Sequence, residues 1–135
     1  MLIRVNLWQN LKMAEIFHKE LSYKIVGLAM QLHRELGHRF LEKLYENALM
    51  LLFRENGIKA ERQVPIKVYF HGQIVGDFIA DILVDDRIIL ELKASGSLNK
   101  ARQAQTINYL KATGLKLAIL INFGKSSLEH ERLVL

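Results

Sequence analysis

Two acidic residues and a lysine lie in consecutive apolar runs of this chain, at a spacing that could bring their charges together. Asp81 lies within Phe-Ile-Ala-Asp-Ile-Leu-Val, and Glu91 and Lys93 lie within Ile-Ile-Leu-Glu-Leu-Lys. Residues two apart in a strand point to the same side, so Glu91 and Lys93 flank one spot while Leu90 and Leu92 face the core. Carboxylates beside an ammonium group can bind a divalent cation and act on a phosphate.

Whether Asp81 joins this pair depends on the length of the turn between the two strands. Asp81 lies opposite Glu91 only if the loop has an odd number of residues, and 85–87, Asp-Asp-Arg, supply three. A two-residue turn would pair Asp81 with Leu90 and direct its carboxylate to the other side of the sheet. We predict the three-residue loop, or a bulge with the same effect.

In that register the two carboxylates could bind Mg²⁺ or Mn²⁺, hard cations that take oxygen ligands. The main-chain carbonyl of Leu92 could be a further ligand. Lys93 could orient an attacking water, assist its deprotonation and offset charge that builds up on the phosphate. The structural alternative is a simple salt bridge on a solvated face, because an Asp followed by Glu-x-Lys is a short pattern that arises often by chance.

Composition indicates one globular domain. The chain has 135 residues, half of them hydrophobic, with eight Gly, one Pro and no Cys. A domain of this size buries enough surface to be stable without a disulfide or structural metal, and the absence of Cys excludes thiolate zinc sites and cysteine nucleophiles. No run approaches the roughly 20 apolar residues of a membrane span, and the start does not resemble a secretory signal. We therefore predict a cytoplasmic protein with no membrane partner.

Charge gives a weak indication of the partner. Nineteen Lys and Arg against fourteen Asp and Glu give a formal charge of +5. This excess would favour an anionic partner such as nucleic acid. The basic residues are spread along the chain, however, and such a balance is also typical of an ordinary solvated surface.

The elements that must position the charged groups follow from periodicity. Residues 1–17 have no clear period and are interpreted as an N-terminal extension, with Met13 an alternative start, and 18–135 as a single domain. Ser22 is the expected cap of the first helix, and Gly37, Gly57 and Gly114 are the expected helix stops. His71-Gly72 is a predicted hairpin turn. Helices are predicted at 22–36, 40–56 and 100–113, and strands at 63–70, 73–84, 88–94 and 117–123.

Eight segments carry a resemblance over residues from about Glu20 to Leu133. The chain resembles the GxxExxY family, a group within the PD-(D/E)XK nuclease superfamily. The matching segments are Lys24-Ile-Val-Gly, Leu32-His-Arg-Glu-Leu-Gly37, Leu41-Glu-Lys-Leu-Tyr-Glu-Asn-Ala-Leu49, Gln63-Val-Pro-Ile, Gly76-Asp-Phe-Ile-Ala-Asp81 with Glu91-Leu-Lys-Ala94, Gln105-Thr-Ile-Asn-Tyr-Leu-Lys-Ala-Thr-Gly114 and Leu120-Ile-Asn-Phe-Gly124. Together they are far more specific than the three charged residues alone.

The resemblance implies a fold and a set of roles. The fold would be α/β with a restriction-endonuclease-like core, a mixed sheet of about four strands with helices on its faces, in the order α-α-β-β-β-α-β. Asp81, Glu91 and Lys93 would occupy the metal and catalytic positions of the superfamily. Glu42 would be the added acid of the family's name motif, within reach of a metal or its water.

Three further residues have both a functional and a structural interpretation. Gln105 and Tyr109 resemble the glutamine and tyrosine of the RecB-like branch, which support the site or contact substrate, and their alternative role is helix packing. Tyr45 could be a substrate contact or a core aromatic with its hydroxyl satisfied. His33, on a helix with apolar neighbours, is interpreted as a packing residue or a satisfied hydrogen bonder, and not as a ligand.

One position departs from the family pattern. Arg39 stands where GxxExxY has its first glycine, and His38 stands where relatives commonly have proline. If close backbone approach at that glycine helps to shape the site, Arg39 would crowd it. A looser alternative is that Arg39 contacts a phosphate near Glu42.

These features predict a Mg²⁺- or Mn²⁺-dependent nuclease that hydrolyses phosphodiester bonds of DNA, with RNA an open alternative. The alternative from another class is a non-catalytic nucleic-acid or protein-binding module that retains the nuclease fold, because fold alone does not establish function. The presence of all three core groups and Glu42 favours the enzyme, since an unneeded cluster of acids repels itself. A homodimer through an edge strand or the first helix is left open.

Overall fold

The computed structural model describes residues 18–135, in which three helices and five strands form an α/β domain. The predicted N-terminal extension, including Met13, lies outside the described residues. The elements are α1 (Lys19–Leu36), α2 (Glu42–Glu55), β1 (Ala60–Phe70), β2 (Gln73–Val84), β3 (Ile88–Lys93), α3 (Lys100–Thr113), β4 (Leu117–Asn122) and β5 (Glu129–Val134).

The strands form one mixed sheet in the order β1-β2-β3-β4-β5. The β3–β4 pair is parallel, with α3 as its crossover, and the other three pairs are antiparallel. The α/β class with a mixed sheet is therefore confirmed. The predicted count of about four strands is corrected to five in the described part of the chain, and β5 is the one that the predicted element order lacked.

Strand β5 has little strand signal of its own. Its sequence, Glu-His-Glu-Arg-Leu-Val, is mostly charged and is half-buried except at the exposed His130, with no alternation between an apolar and a polar face. It pairs with all six residues of β4, which are buried. Without β5, the backbone groups along that side of β4 would have no strand partner, so the tertiary context decides this strand.

The sheet is covered on both faces. On one face, Leu90 and Leu92 join a core cluster with residues of α1 and α2 such as Ile25 and Leu49. On the other face, a smaller cluster includes Ile89 together with residues of α3. Strands buried on both sides read as near-continuous apolar runs, as in Leu-Ala-Ile-Leu-Ile of β4 and Ile-Ile-Leu of β3.

Two of the predicted helix stops lie at the observed ends of their helices. Gly37 follows α1 with φ 78°, and Gly114 caps α3 in the left-handed conformation. The prediction that Ser22 caps the first helix is wrong. Ser22 is buried one turn inside α1, and its N–H donates to the carbonyl of His18 at 2.8 Å, so the helix begins a turn earlier at Lys19.

The β1–β2 hairpin closes through His71 and Gly72, as predicted. Both residues have positive φ, 49° and 75°, and Phe70 pairs with Gln73 across the turn. Two central residues with positive φ match the twist of an antiparallel pair. Within residues 18–135, no helix is long and apolar enough to cross a membrane.

Candidate active site

The register of the β2–β3 hairpin places the two predicted acids opposite one another. Val84 pairs with Ile88 across a loop of three residues, 85–87, and the pairing continues in step to Ile82 and Leu90. The next position brings Asp81 opposite Glu91, so the three-residue loop is confirmed. The aspartates of this loop have φ of 51° and 56°, which Asp tolerates better than most residues.

Beyond this pairing, side chains replace the backbone ladder between the two strands. The N–H of Asp81 donates to Glu91 Oε1 at 3.1 Å. The N–H of Leu92 donates to Asp81 Oδ2 at 2.7 Å. Each carboxylate is therefore bound to the backbone of the opposite strand, which fixes the position of both acids without a metal.

A guanidinium group completes this arrangement. Arg102 Nη2 lies 3.3 Å from Glu91 Oε2, 3.6 Å from Asp81 Oδ2 and 2.9 Å from the carbonyl oxygen of Leu92. Arg102 lies in the first turn of α3, where its N–H donates to the capping side chain of Asn99 at 2.9 Å. The two acids and the carbonyl predicted as metal ligands thus converge on one cationic nitrogen.

Arg102 was missed by the sequence analysis. The only available signal was its position three residues after Asn99, a plausible helix cap, in the helix that follows the Glu-x-Lys strand. That signal places Arg102 near one end of a helix, but it gives no indication of which strand the helix crosses or which way the guanidinium points.

The ammonium group of Lys93 points toward the loop after β3. Its Nζ donates to the carbonyl oxygen of Ser97 at 2.6 Å. Lys93 forms none of the ion pairs found among residues 18–135, in which Arg102 is the partner of both acids. In the described structure the salt bridges of Asp81 and Glu91 are therefore formed with Arg102, at buried acids, and not with Lys93 on a solvated face.

Glu42 reaches the same region from the first turn of α2. Burial raises the pKa of its carboxyl, and the nearby Asp81 carboxylate raises it further, whereas Arg102 and Lys93 act in the opposite direction. Glu42 is thus in electrostatic contact with the site. Among residues 18–135, however, no group of three or more acidic or histidine side chains is arranged to hold a metal ion.

Burial raises the pKa of both central acids above that of a solvated carboxyl. Burial, followed by the charge of Asp81, raises the pKa of Glu91 to about 8. Burial also raises the pKa of Asp81, against the effects of the Leu92 N–H and Arg102. A proton, the Arg102 guanidinium or a metal ion could each relieve the repulsion between two carboxylates held this close.

Gln105 and Tyr109 lie on the face of α3 that covers the acids. Gln105 Nε2 donates to the Tyr109 hydroxyl at 2.7 Å, and Tyr109 packs against Phe78 with ring centroids 5.5 Å apart. Burial, followed by the charge of Glu91, raises the pKa of Tyr109. Tyr109 therefore lines the wall of the site, whereas Gln105 is exposed.

Tyr45 is a core aromatic, which was one of its two predicted roles. Its side chain is fully buried and stacks on Phe123 at a centroid distance of 4.5 Å. Its hydroxyl donates to the carbonyl of Gly37 at 2.6 Å and accepts from the N–H of Phe40 at 3.3 Å. Tyr45 ties down the turn that leads to Glu42 and presents no group to a substrate.

The other residues singled out at this end of the molecule have simpler roles. Arg39 is exposed, and its backbone φ lies outside the positive range, so nothing at this position requires glycine or crowds the acids. His33 is buried, with Nε2 at 2.8 Å from the carbonyl of Lys125, consistent with the packing role expected for it.

A second feature missed by the sequence analysis is a backbone irregularity in β1 opposite Asp81. Arg62 pairs with Ile82 and Val64 pairs with Ala80, so Gln63 lies opposite Asp81. Its backbone φ is 55°. Its side chain donates to Glu46 Oε1 at 2.6 Å, and Glu46 is buried. The Glu46 carboxylate contributes to the raised pKa of Asp81. Glu46 therefore adds a further negative charge next to the paired acids.

The fold is α/β, and its neighbouring strands β2 and β3 carry two acids and a lysine close to one another. A family model described as the PD-(D/E)XK nuclease superfamily matches residues 19–133, and the chain belongs to that superfamily. None of the curated proteins compared with the chain matches it.

A solved structure supports the fold assignment. The crystal structure of SSO0001 superposes with a TM-score of 0.55 at 18% identity, covering 68% of this chain and 48% of that one. An alkaline exonuclease from Laribacter hongkongensis superposes with a TM-score of 0.41, also at 18% identity, covering 68% of this chain and 55% of that one. This chain thus matches about half the length of each of these proteins.

Proposed function

We propose that this protein is a divalent-metal-dependent nuclease that hydrolyses phosphodiester bonds of DNA, with RNA the alternative substrate. The observation that carries the proposal is the convergence of two carboxylates and one main-chain carbonyl, from Asp81, Glu91 and Leu92, on a single cationic nitrogen. Membership of the nuclease superfamily supports it. Within the superfamily, the motif residues favour the GxxExxY family and a RecB-like site.

The donor set fits a hard cation. Two carboxylates and a carbonyl are oxygen ligands of the kind that Mg²⁺ and Mn²⁺ prefer, and three protein ligands would leave positions for water and a substrate phosphate. Asp81, Glu91 and the carbonyl of Leu92 would hold the ion. When bound, such an ion would polarise a phosphoryl oxygen and lower the pKa of a bound water.

Lys93 is the proposed catalytic cation. It lies on the same strand and side as Glu91, two residues away, and its ammonium group is close enough to lower the pKa of Glu42. A compact ammonium at this position can orient the attacking water and stabilise the negative charge that develops on the phosphate. The carbonyl of Ser97, which accepts its hydrogen bond, would hold the ammonium until substrate arrives.

Glu42 is proposed to support the water. Burial and the charge of Asp81 raise the pKa of Glu42, so its carboxylate is a stronger base than that of a solvated glutamate. Gln105 and Tyr109 are proposed to support the site from α3, where the Tyr109 hydroxyl is held by Gln105 close to Glu91.

The alternative function is a non-catalytic binding module that retains the nuclease fold. The ion pairs of Arg102 favour this alternative, because they compensate the two acids without any metal. A chain that had lost catalysis would keep such a neutralised core for stability alone.

The deciding experiment is a cleavage assay on single-stranded, duplex, flapped and branched DNA and on RNA, with Mg²⁺, Mn²⁺ or chelator. Glu91→Ala and Lys93→Ala test the site, and Glu55→Ala, an exposed acid at the end of α2, is the matched control. Metal-dependent cleavage that both site variants lose and the control keeps would support the nuclease. A folded wild type that binds nucleic acid without cleaving any of these substrates would favour the binding module.

A further inference from the structure

We propose that Arg102 is a displaceable internal cation that competes with the divalent metal for the donor set of Asp81, Glu91 and the Leu92 carbonyl. The proposal rests on the metal site proposed above and adds a residue that regulates its occupancy. In the metal-free protein Arg102 holds the acids together, and metal can enter only when the guanidinium leaves.

The geometry makes the two cations mutually exclusive. Arg102 Nη2 is 2.9 Å from the Leu92 carbonyl oxygen and 3.3 Å from Glu91 Oε2. A Mg²⁺ ion binds oxygen at about 2.0–2.1 Å, so an ion shared by these same oxygens would lie nearly in van der Waals overlap with the nitrogen. Repulsion between two positive charges at that distance would add to the steric conflict.

The burial of the acids explains why a cation beside them is stabilising. The side chains of Asp81 and Glu91 are only 16% and 4% exposed. Breaking a buried ion pair by removal of one partner is strongly destabilising, because a charge is left without compensation. Arg102 therefore has a structural role in the metal-free state that a bound metal would take over.

Arg102 can leave without disturbing the fold. Its side chain is 27% exposed, more than either acid, and it extends from the first turn of α3. The backbone at this position is fixed by the Asn99 cap, so a change of side-chain rotamer is sufficient to vacate the donor set. The hydrogen bonds of Asp81 and Glu91 to the opposite strands do not involve Arg102 and can remain.

Competition of this kind has a measurable consequence. If the guanidinium is out of the donor set in only about a tenth of the molecules, the apparent Kd for metal is raised about tenfold. Removal of the guanidinium should therefore tighten metal binding, whereas removal of a residue that organises the site should weaken it.

The test is Mn²⁺ binding without substrate, with free Mn²⁺ followed by electron paramagnetic resonance, for wild type, Arg102→Ala and Arg102→Gln. Lys43→Ala is the matched control, since Lys43 is a nearby cation that acts on Asp81 without contacting the donor set in the described structure. We expect both Arg102 variants to bind Mn²⁺ about tenfold more tightly than wild type, and Lys43→Ala to differ by about twofold or less. Thermal unfolding with and without Mn²⁺ gives a second readout: metal should raise the Tm of the Arg102 variants more than that of wild type.

The outcomes separate this inference from the proposed function. Equal or weaker Mn²⁺ binding by both folded Arg102 variants, with binding by wild type intact, would overturn the competition and leave the metal site standing. Absence of Mn²⁺ binding by wild type and by both folded variants would overturn the metal site and the competition together. If Arg102→Ala fails to fold, Arg102→Gln, which keeps a neutral donor at this position, decides the question.

Discussion

Glu91 accepts a hydrogen bond at 3.1 Å from the N–H of Asp81. After burial, the charge of the Asp81 carboxylate is the main cause that raises the pKa of Glu91. The backbone bond lowers the pKa of Glu91, but burial and the neighbouring negative charge have the larger effect and raise it to about 8. The pair is therefore held in place by hydrogen bonds while its electrostatics favour a proton, Arg102 or a metal.

The first prediction concerns pH. Because a metal binds the deprotonated acid and the pKa of Glu91 is about 8, metal binding below that pH must release a proton. We expect the affinity for Mn²⁺ to rise with pH, by up to about tenfold per pH unit between pH 6 and pH 8, and to level off above. Calorimetric titration in buffers of different ionisation enthalpy measures the affinity and the protons released. An affinity that is constant from pH 6 to pH 9 would contradict the prediction.

The second prediction separates catalysis from metal binding. Lys93→Ala should reduce the rate of phosphodiester cleavage by about 100-fold or more, because a cation that stabilises the developing charge is lost. Mn²⁺ affinity should change little, since the Lys93 ammonium donates to Ser97 and not to the two acids. Lys67→Ala, at an exposed position in β1, is the control. A parallel loss of metal binding and cleavage in Lys93→Ala would show that Lys93 holds the site together.

The third prediction concerns the packing beneath the Lys93 loop. A Cβ on Gly124 would lie 2.5 Å from the backbone C and O of Ala94, so Gly124→Ala must displace the segment that follows β3. We expect a loss of about 1–3 kcal/mol in the free energy of unfolding, measured by urea denaturation.

The matched control for that substitution is Gly27→Ala in the middle of α1. No atom lies within 4 Å of a Cβ at Gly27, and alanine is the better helix former. This variant should gain about 0.5–1 kcal/mol. Equal effects of the two substitutions would indicate that the close approach at Gly124 is absent in solution.

The fourth prediction concerns Tyr45. Tyr45→Phe removes the hydroxyl that joins the carbonyl of Gly37 to the N–H of Phe40, and leaves both groups without this partner. We expect a loss of about 1–2 kcal/mol of stability, with the cleavage rate of the folded protein preserved. A variant of unchanged Tm with greatly reduced cleavage would instead assign Tyr45 to substrate contact.

The fifth prediction concerns the departure from the family motif. Arg39 is exposed and its φ is not positive, so Arg39→Gly relieves neither strain nor crowding. We expect the cleavage rate and Mn²⁺ affinity of Arg39→Gly to stay within about twofold of wild type, as is usual for surface substitutions. A large gain in cleavage would show that the arginine obstructs the site.

Much of this site could be predicted from local rules. The strand period of two places Glu91 and Lys93 on one side of the sheet. The three-residue turn at 85–87 brings Asp81 opposite Glu91, so the number of loop residues decides the register of the two strands. The helix stops at Gly37 and Gly114 are equally local, because glycine reaches positive φ at little cost.

Other features required the tertiary structure. Ser22 has the residue type of a helix cap, yet α1 begins a turn earlier, at Lys19. Strand β5 carries no apolar alternation and exists because β4 needs a partner along its length. Gln63 adopts φ 55° in the middle of β1, a conformation that its sequence neighbours do not indicate.

The sequence by itself determined the nuclease class, the pairing of Asp81 with Glu91 and the position of Lys93 on the same strand, since each follows from spacing or motif. Only the tertiary structure decided that Arg102 occupies the donor set and that the ammonium of Lys93 turns toward Ser97. The register of two strands depends only on the number of residues between the paired positions. The direction of a long charged side chain depends instead on which buried charges lie within its reach once α3 has packed against the sheet.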